Sequence, residues 1–301
     1  MRFMMGRMQR AVHLFMPVPE RVQAELERDF ELLDGPEGAA GLVTHPTVRV
    51  DGALLDRAGP GLQVVANYAV GLDNLDLEAA RSRGVVVANT PDVLTRATAE
   101  HALALILSLL RRVAEGDRLI RRQEPWQLGT TFMLGRGLDG LTLGIVGPGR
   151  IGSELGRLAE ALGMQVVTAR SGEPLDEVLA ADVVSLHCPL TTETRHLIDA
   201  DALRRMSPDA VLVNTSRGAV VDEDALAGAL LAGELAGAAL DVFEDEPNVH
   251  PGLLGLENVV LTPHLGSATH EARDAMGMLC VDALRAVLLE GRTPANAVSA
   301  R

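Results

Sequence analysis

The sequence predicts an α/β protein in which two doubly wound parallel sheets form two domains with a cleft between them. Short apolar runs alternate with helical patterns over residues 11–90 and again from residue 141 onward. This is the order that builds parallel sheets covered on both faces. Between the two series, residues 95–122 carry apolar side chains at helical spacing. We therefore expect one long helix there and a second domain inserted into the first.

The individual elements are predicted from apolar periodicity and from the Gly and Pro residues that bound it. The predicted strands are AVHLFM (11–16), GLV (41–43), LQVVANYAV (62–70), VVVANTP (85–91), LTLGIV (141–146), QVVTA (165–169), DVVSLHC (182–188), AVLVNTS (210–216), GAALDVF (237–243) and NVVLTPH (258–264). The predicted helices are 19–30, 74–84, 95–122, 151–163, 222–237 and about 268–290. The last helix is expected to return to the first domain, so that residues 1–95 plus 280–301 form one domain and residues 96–279 the other.

The composition argues against several classes of protein. With 47% hydrophobic and 23% charged residues the chain is an ordinary globular protein, and it has no run of about 18 apolar residues to span a membrane. A net charge of −14 and 2% aromatic residues argue against nucleic-acid binding. We expect a cytoplasmic protein, because there is no signal-peptide pattern and Cys188 and Cys280 have the apolar contexts of buried free thiols. No His/Cys cluster has metal-ligand spacing, so no metal is expected.

Gly147, Gly149 and Gly152 form the pattern G-x-G-x-x-G directly after a predicted strand and at the start of a predicted helix. In this context the glycines allow a tight turn and a close approach of the backbone to a pyrophosphate. The helix N-terminus adds N–H groups and a positive dipole. The second domain is therefore predicted to be a Rossmann domain that binds a dinucleotide. The alternative is a tight strand-to-helix turn without a ligand.

The next predicted strand is followed by Arg170 and Ser171, where many dinucleotide-binding chains carry a carboxylate. A carboxylate would accept hydrogen bonds from the 2′-hydroxyl of the adenosine ribose and repel a 2′-phosphate. A guanidinium instead matches the geometry of a phosphate, and the serine adds a hydroxyl donor. We therefore predict NADP(H) as the cofactor. The alternative is a solvated arginine on a turn, with NAD(H) bound.

Three further segments lie at the ends of predicted strands, and they contain Arg217, Glu246 and His264. Reduction of a 2-oxo acid needs a fixed cation for the carboxylate and the carbonyl, and an acid that protonates the oxygen as hydride arrives. Arg217 would supply the cation and His264 the proton, with Glu246 paired to His264. The alternatives are a turn cation, a core histidine and, within the EDEP segment, Glu244 in place of Glu246.

The chain resembles the D-isomer-specific 2-hydroxyacid dehydrogenase family from about residue 11 to about residue 290. The motifs that carry the resemblance are NYAVGLDNLD, VVVANTPDVLTRATAEHALAL, LGIVGPGRIG, LHCPLTTETRHLI, VNTSRGAVVDEDAL, GAALDVFEDEP and LTPHLGSAT. The catalytic Arg, Glu and His of the family fall on Arg217, Glu246 and His264. The NYAVG and HLGSAT segments are most similar to the glyoxylate/hydroxypyruvate reductase branch, which often uses NADPH.

This resemblance implies a flavodoxin-like substrate-binding domain, a Rossmann cofactor domain and further roles by position. The backbone N–H groups of Val70 and Gly71 would bind the substrate carboxylate, and Asp241 would contact the nicotinamide carboxamide. The remaining positions lie near the pyrophosphate or the nicotinamide: Arg150, Ile151, Thr215 and Gly266. The family also implies a homodimer through the long helix and the loop near Trp126. Neither Trp126 nor Phe132 is assigned to a substrate pocket.

The leading functional hypothesis is an NAD(P)H-dependent enzyme that reduces glyoxylate, hydroxypyruvate or a similar small 2-oxo acid to the D-2-hydroxy acid. One alternative is an NAD enzyme like 3-phosphoglycerate dehydrogenase, against which Arg170 argues. The other is a dinucleotide-sensing binding protein on the same fold, which would bind NADPH and turn over 2-oxo acids very slowly. His101 is expected to serve packing or a subunit contact, and His187 and Cys188 are expected to pack beside the cofactor.

Overall fold

The computed structural model describes residues 10–298 and divides the chain into two compact units. One unit consists of the described residues up to Leu94 and those from Ala268 onward, and the other is Thr95–Ser267. Each unit contains one parallel sheet with helices between its strands. The predicted α/β class is confirmed.

Strands and helices alternate along most of the chain. The strands are β1 (Ala11–Leu14), β2 (Glu31–Leu33), β3 (Gly41–Thr44), β4 (Val64–Asn67), β5 (Val86–Ala88), β6 (Thr142–Val146), β7 (Gln165–Ala169), β8 (Val183–Leu186), β9 (Val211–Asn214), β10 (Gly237–Leu240) and β11 (Val259–Leu261). The helices are α1 (Glu20–Asp29), α2 (Gly52–Ala58), α3 (Leu77–Ser82), α4 (Thr95–Leu110), α5 (Val113–Arg121), α6 (Arg150–Ala161), α7 (Asp176–Leu179), α8 (Ala200–Arg205), α9 (Glu223–Ala232), α10 (Pro251–Leu254) and α11 (His270–Leu288). Each predicted strand is present, whereas the short strand β2 and the short helices α2, α7, α8 and α10 were not predicted.

In the first unit, five parallel strands form a sheet in the order β2-β1-β3-β4-β5. This is the flavodoxin-like order 2-1-3-4-5. Leu42, Val64 and Val65 are fully buried in the middle of the sheet. Continuous apolar runs such as these are typical of strands covered on both faces.

Helix α11 lies wholly in the first unit. It packs closely on α1, because a Cβ on Gly277 would lie 2.4 Å from Val22 Cγ2. Its Arg285 forms ion pairs with Glu25 and Asp29 of α1. The structure therefore places the return to the first unit at Ser267–Ala268, before the helix begins, instead of between residues 279 and 280.

In the second unit, six parallel strands follow the order β11-β10-β9-β8-β6-β7. The strand order reverses between β6 and β8, the position at which open α/β sheets bind ligands. A Rossmann sheet of order 3-2-1-4-5-6 has a further strand outside its second one. Within residues 10–298 that outer strand is missing here, because the chain turns at Gly172, forms the four-residue α7 and enters β8. Strand β7 is therefore an edge strand.

The single long helix predicted over residues 95–122 is wrong. The structure has two helices, α4 and α5, separated at Arg112, whose φ of 55° is left-handed. The carbonyl of Leu110 accepts a hydrogen bond of 2.9 Å from the Arg136 N–H. A carbonyl that would accept from the next helical turn is therefore occupied by a neighbouring segment. Helix α4 buries one face and α5 buries none of its residues. The apolar spacing runs on across the break and does not reveal it.

Both cysteines are buried free thiols, as predicted. Burial raises the pKa of the Cys188 thiol to about 11, so this group is protonated at neutral pH. In the part of the chain that the structure describes, no helix combines the length and the apolar character needed to cross a lipid bilayer.

Candidate active site

The predicted site residues of the second unit lie at one edge of its sheet. Arg170 follows β7, Arg217 follows β9, Asp241 and Glu246 follow β10, and His264 follows β11. The glycine fingerprint follows β6. Because all six strands are parallel, these positions share the carboxyl-terminal edge of the sheet.

The glycine loop has the geometry that dinucleotide binding requires. Gly147 has a φ of 83°, and a Cβ there would lie 2.8 Å from the backbone nitrogen of Cys188. A Cβ on Gly152 would lie 2.8 Å from the Gly147 carbonyl oxygen, so this glycine lets α6 approach β6. A Cβ on Gly149 would have no atom within 4 Å from the rest of residues 10–298, its two chain neighbours aside. Gly149 therefore leaves open space beside the loop.

The N-terminus of α6 begins at Arg150 and Ile151, directly after this open space. Among the described residues, no side chain caps the helix at Gly149. N–H groups in the first turn of a helix lack partners inside it and carry a partial positive charge. The arrangement suits a bound phosphate group.

Arg170 and Ser171 are exposed and begin a turn at the end of β7. Gly172 has a φ of 82°, and the Glu173 N–H donates to the Arg170 carbonyl at 3.0 Å. Inside the described range the Arg170 guanidinium has no hydrogen-bond or ion-pair partner, whereas its backbone N–H donates to Glu173 Oε2 at 2.7 Å. Glu173 was not predicted to take part, although a carboxylate three residues after Arg170 is a visible signal.

The loop after β9 is held by Asn214, a buried residue that was not predicted. Its Nδ2 donates to the Arg217 carbonyl at 2.8 Å, and its Oδ1 accepts from the Ser216 N–H at 3.0 Å. Thr215 Oγ1 is buried and has no hydrogen-bond partner among residues 10–298. A buried hydroxyl of this kind calls for a partner from outside the chain, a ligand or a water.

Glu246 and His264 form a direct pair, with 2.9 Å between Glu246 Oε2 and His264 Nδ1. The other carboxylate oxygen accepts from the Phe243 N–H at 3.0 Å. Burial raises the pKa of Glu246, but the hydrogen bond and charge of His264, the Phe243 N–H and the charge of Arg217 lower it, and the net pKa lies below the usual value. Glu246 is therefore ionised at neutral pH, and Arg217 contributes to the same electrostatic environment.

Glu244, the alternative to Glu246 within EDEP, points to other partners. Its Oε1 accepts from Arg195 at 2.7 Å and lies 2.8 Å from His196 Nε2. The geometry thus pairs Glu246, and not Glu244, with His264.

Asp241 holds the loop that carries His264. Its buried carboxylate accepts from the Leu265 N–H and from the Gly266 N–H, each at 2.7 Å. Its carbonyl accepts from the His264 N–H at 2.8 Å. Burial raises the pKa of Asp241, but hydrogen bonds from His101, Thr262 and the Leu265 N–H lower it below the usual value. The predicted contact of Asp241 with a nicotinamide carboxamide stays a prediction.

His101 on α4 joins this network, a role that was not predicted. Its Nε2 lies 3.1 Å from Asp241 Oδ1 and 3.1 Å from Thr262 Oγ1. His187, by contrast, lies 2.9 Å through Nε2 from Ser185 Oγ, and burial lowers its pKa to about 4. The neutral His187 ring fits the packing role expected for it.

In the first unit, two asparagines fix the loop after β4 that contains Val70 and Gly71. Asn89 Nδ2 donates to the Val70 carbonyl, and Asn67 Nδ2 donates to the Gly71 carbonyl, each at 2.9 Å. The two backbone N–H groups have no acceptor in the described chain. The loop therefore offers two fixed donors.

The cofactor-binding half of the chain matches a known family. The family model described as "D-isomer specific 2-hydroxyacid dehydrogenase, NAD binding domain" matches residues 103–266, which is more than half of the sequence and includes the glycine loop and the Glu246–His264 pair.

The chain belongs to the D-isomer specific 2-hydroxyacid dehydrogenase family.

Several relatives of this dehydrogenase are glyoxylate reductases. It is 46% identical over 287 residues to the glyoxylate reductase of Thermococcus litoralis, a match that covers 89% of this chain and 86% of the relative. The crystal structure of the TT0316 protein from Thermus thermophilus has a TM-score of 0.89 and 43% identity, covering 96% of this chain and 100% of that one. The NADPH-dependent glyoxylate/hydroxypyruvate reductase of Sinorhizobium meliloti, solved with NADP and malonate, has a TM-score of 0.84 and 34% identity, covering 97% of both chains. The dehydrogenase thus falls in the glyoxylate reductase branch, as its motifs predict.

The residues of the second unit fit the nicotinamide dinucleotide that the family binds. The open space at Gly149, the uncapped start of α6 and the unpartnered Thr215 hydroxyl are each suited to a ligand. Over residues 10–298, no group of His, Cys, Asp and Glu side chains is arranged to hold a metal ion.

Proposed function

We propose that this dehydrogenase reduces glyoxylate to glycolate, and hydroxypyruvate or a similarly small 2-oxo acid to the D-2-hydroxy acid, with NADP(H) as the preferred cofactor. The observation that carries the proposal is the 2.9 Å pair of His264 and Glu246, at the same sheet edge as the glycine loop. Its glyoxylate reductase relatives, with up to 46% identity, support the choice of substrate class.

His264 is the proposed proton donor. Because the ionised Glu246 can only accept a hydrogen bond, the proton between them is on Nδ1 of His264. Nε2 is then the ring atom left for the substrate. The reduced cofactor, when bound, supplies the hydride that reduces C2. His264 gives its Nε2 proton to the carbonyl oxygen, and Glu246 orients the ring and offsets the charge it carries before the transfer.

Arg217 is the proposed electrostatic catalyst. Its guanidinium binds the substrate carboxylate and polarises the C2 carbonyl, whose oxygen gains negative charge as hydride arrives. The Val70 and Gly71 N–H groups are proposed to bind the same carboxylate. The proposed cofactor contacts come from Arg150, Ile151, Thr215, Asp241 and Gly266.

The preference for NADP(H) is proposed on Arg170 and Ser171. An exposed guanidinium without an ion-pair partner in residues 10–298 is able to receive a 2′-phosphate, and the neighbouring hydroxyl adds a donor. The Sinorhizobium meliloti relative is described as NADPH-dependent, which supports the same choice.

We also propose a homodimer that covers α5 and the loop near Trp126. Helix α5 buries none of its residues, yet Val113 and Ile120 expose 59% and 55% of their surface. In the loop, Trp126 stacks on Phe132, and Leu128 is 94% exposed. Clustered apolar side chains of this kind mark a surface that another protein covers.

The experiment that tests the proposed function is a set of initial rates with glyoxylate and hydroxypyruvate, each with NADPH and with NADH. Turnover that is faster with NADPH supports the whole proposal. Turnover that is faster with NADH supports the reductase and removes the cofactor preference. Cofactor binding without turnover of either acid would contradict the proposed substrates and favour a dinucleotide-sensing protein.

A further inference from the structure

We propose that Glu173 is a specificity-determining residue, which limits the preference for NADP(H) and keeps NAD(H) usable. The inference rests on the proposed cofactor site. It assigns a function to a side chain that belongs neither to the glycine fingerprint nor to the Arg217, Glu246 and His264 set.

The Glu173 carboxylate is held at a fixed place by its own turn. The turn runs from Arg170 to Glu173, closed by the 3.0 Å hydrogen bond between the Glu173 N–H and the Arg170 carbonyl. Gly172, with a φ of 82°, permits the sharp reversal. The side chain then reaches back to the Arg170 N–H at 2.7 Å, so the same two residues are joined twice.

This turn lies where the adenosine ribose of a Rossmann-bound cofactor is expected. The Gly147 N–H donates to the Ala169 carbonyl at 2.8 Å, which joins the fingerprint loop to the end of β7. In Rossmann domains an acidic residue about 20 residues after the fingerprint accepts the 2′-hydroxyl of NAD. Here Arg170 follows the strand instead, and a carboxylate, that of Glu173, comes three residues later.

The carboxylate and a 2′-phosphate compete for one donor. An anion bound by this turn would use the Arg170 N–H, which Glu173 already occupies. A phosphate must therefore displace the carboxylate and remain close to its negative charge. A 2′-hydroxyl has no such conflict, because it donates to the carboxylate.

Arg170 and Glu173 thus act in opposite directions on the same ribose. The guanidinium attracts a 2′-phosphate, and the carboxylate repels it and accepts from a 2′-hydroxyl. Both side chains are exposed, so each effect is moderated by water. The turn accepts either dinucleotide, and Glu173 reduces the degree to which NADP(H) is preferred over NAD(H).

The test compares Glu173→Gln with a matched control, Glu177→Gln. Glutamine removes the charge but can still accept the Arg170 N–H, so the turn is preserved. Glu177 is an exposed acid on α7, four residues further on, and loses the same charge. Both proteins are assayed with glyoxylate for kcat/KM with NADPH and with NADH. Binding of 2′,5′-ADP and of 5′-AMP is measured by calorimetry.

E173Q should raise the ratio of kcat/KM for NADPH to that for NADH about fivefold, the effect of one exposed charge interaction. The affinity for 2′,5′-ADP should rise relative to that for 5′-AMP by a similar factor. E177Q should change each of the two ratios by a factor of no more than about 1.7. Unchanged ratios in E173Q, or an equal change in E177Q, would overturn the proposal.

The two binding fragments separate this inference from the proposed function. If the protein turns over no 2-oxo acid, the proposed function fails, while 2′,5′-ADP and 5′-AMP still report on Glu173. Arg170→Ala tests the NADP(H) preference itself. If that variant binds 2′,5′-ADP as well as the parent does and E173Q binds it more tightly, the role of Arg170 fails and that of Glu173 stands.

Discussion

At His264 the backbone has a φ of 55°, which residues other than glycine rarely adopt. Such strain persists only where the surroundings hold it in place. Asp241 does this by accepting hydrogen bonds from the backbone N–H groups of His264, Leu265 and Gly266. The strained backbone and the Glu246 hydrogen bond together give the imidazole one orientation.

Replacing His264 with alanine should lower kcat by about 10² or more, because the proton donor is lost. The expected change is in steady-state kcat with glyoxylate, with the dissociation constant of the cofactor little altered. His270→Ala, at an exposed histidine, serves as the control. Near-parental turnover in H264A would remove the assigned role.

Glu246 should make folding stability depend on pH in the acid range. Its folded pKa is lowered, so its contribution is present above the unfolded value of 4.5 and is lost as the pH falls through the folded value. Glu246→Gln should therefore lower Tm at pH 7, and the gap from the parent should close below pH 4.5. Thermal unfolding followed from neutral pH to about pH 3 measures this. A gap that stays constant would mean that the carboxylate is not stabilised by His264 and Arg217.

At this scale, sequence reasoning located the residues that end strands and missed those that support them. Arg217, Glu246 and His264 each follow an apolar run, so their position at a sheet edge could be predicted. Asn214 lies inside a predicted strand segment and looked like an ordinary member of it. His101 meets Asp241 only through the packing of α4, a contact that no local pattern encodes.

Among the elements, the loop between β6 and α6 contains two glycines in different surroundings. Gly152 lies where α6 packs on β6, and Gly149 lies beside open space. A Cβ on Gly152 would strike the Gly147 carbonyl and Ile145, whereas a Cβ on Gly149 would meet open space. Gly149 also has a φ of −75°, which alanine adopts without strain. The two glycines of one motif therefore have different surroundings, one close-packed and one open.

Gly149→Ala should fold with an almost unchanged Tm and raise the KM for the cofactor about tenfold or more, because its methyl group enters the space for the pyrophosphate. Gly152→Ala should lower Tm by several degrees, because α6 must move away from β6. Thermal unfolding and cofactor titration of both variants test the distinction. Equal losses of Tm in the two would contradict it.

Helix α4 contributes His101 to the hydrogen-bond network around Asp241. Replacing His101 with phenylalanine removes its hydrogen bonds to Asp241 and Thr262 and should loosen the His264 loop. We expect kcat to fall about tenfold with little change in the KM for the cofactor. The neighbouring Glu100→Gln breaks only an exposed pair with Arg96 and should leave kcat unchanged. A loss of stability without a loss of kcat in H101F would show a purely structural role.

The ends of helices were predicted well where a turn or a cap marks them in the sequence. They were predicted poorly where tertiary contacts determine where a helix ends. The break between α4 and α5 depends on the Arg136 N–H reaching the Leu110 carbonyl, from a segment more distant in the sequence. The predicted 95–122 helix has no Gly or Pro at the break itself, and its one glycine, Gly116, lies inside α5. The N-terminus of α6, marked by glycines, was predicted to within one residue.

For the whole molecule, the parallel sheets followed from the apolar runs, but the domain boundary did not. The pattern of α11 is one continuous amphipathic helix, and its sequence does not show which unit it packs on. Arg285 and Gly277 decide this by their contacts with α1. The strand order of the second unit also differs from that of a full Rossmann sheet. After β7 the chain forms the short helix α7, whereas a full Rossmann sheet has a further strand outside this position.

The final prediction concerns the proposed homodimer. Replacing Trp126 and Leu128 with aspartate should convert the proposed dimer to monomers, because two charges would enter an apolar contact. Size-exclusion chromatography with light scattering measures the mass. Leu231→Asp, at an exposed leucine on α9, should leave the mass unchanged. A parent protein that is monomeric would contradict the dimer.

The edge position of β7 has a consequence for handling the protein in concentrated solution. One side of this five-residue strand pairs with β6, and the other side offers backbone groups that no strand of the described chain takes up. An open edge is a starting point for intermolecular β-pairing and aggregation. Natural proteins block such pairing with a charged side chain, and Thr168, exposed on β7, is the place where a lysine would do so.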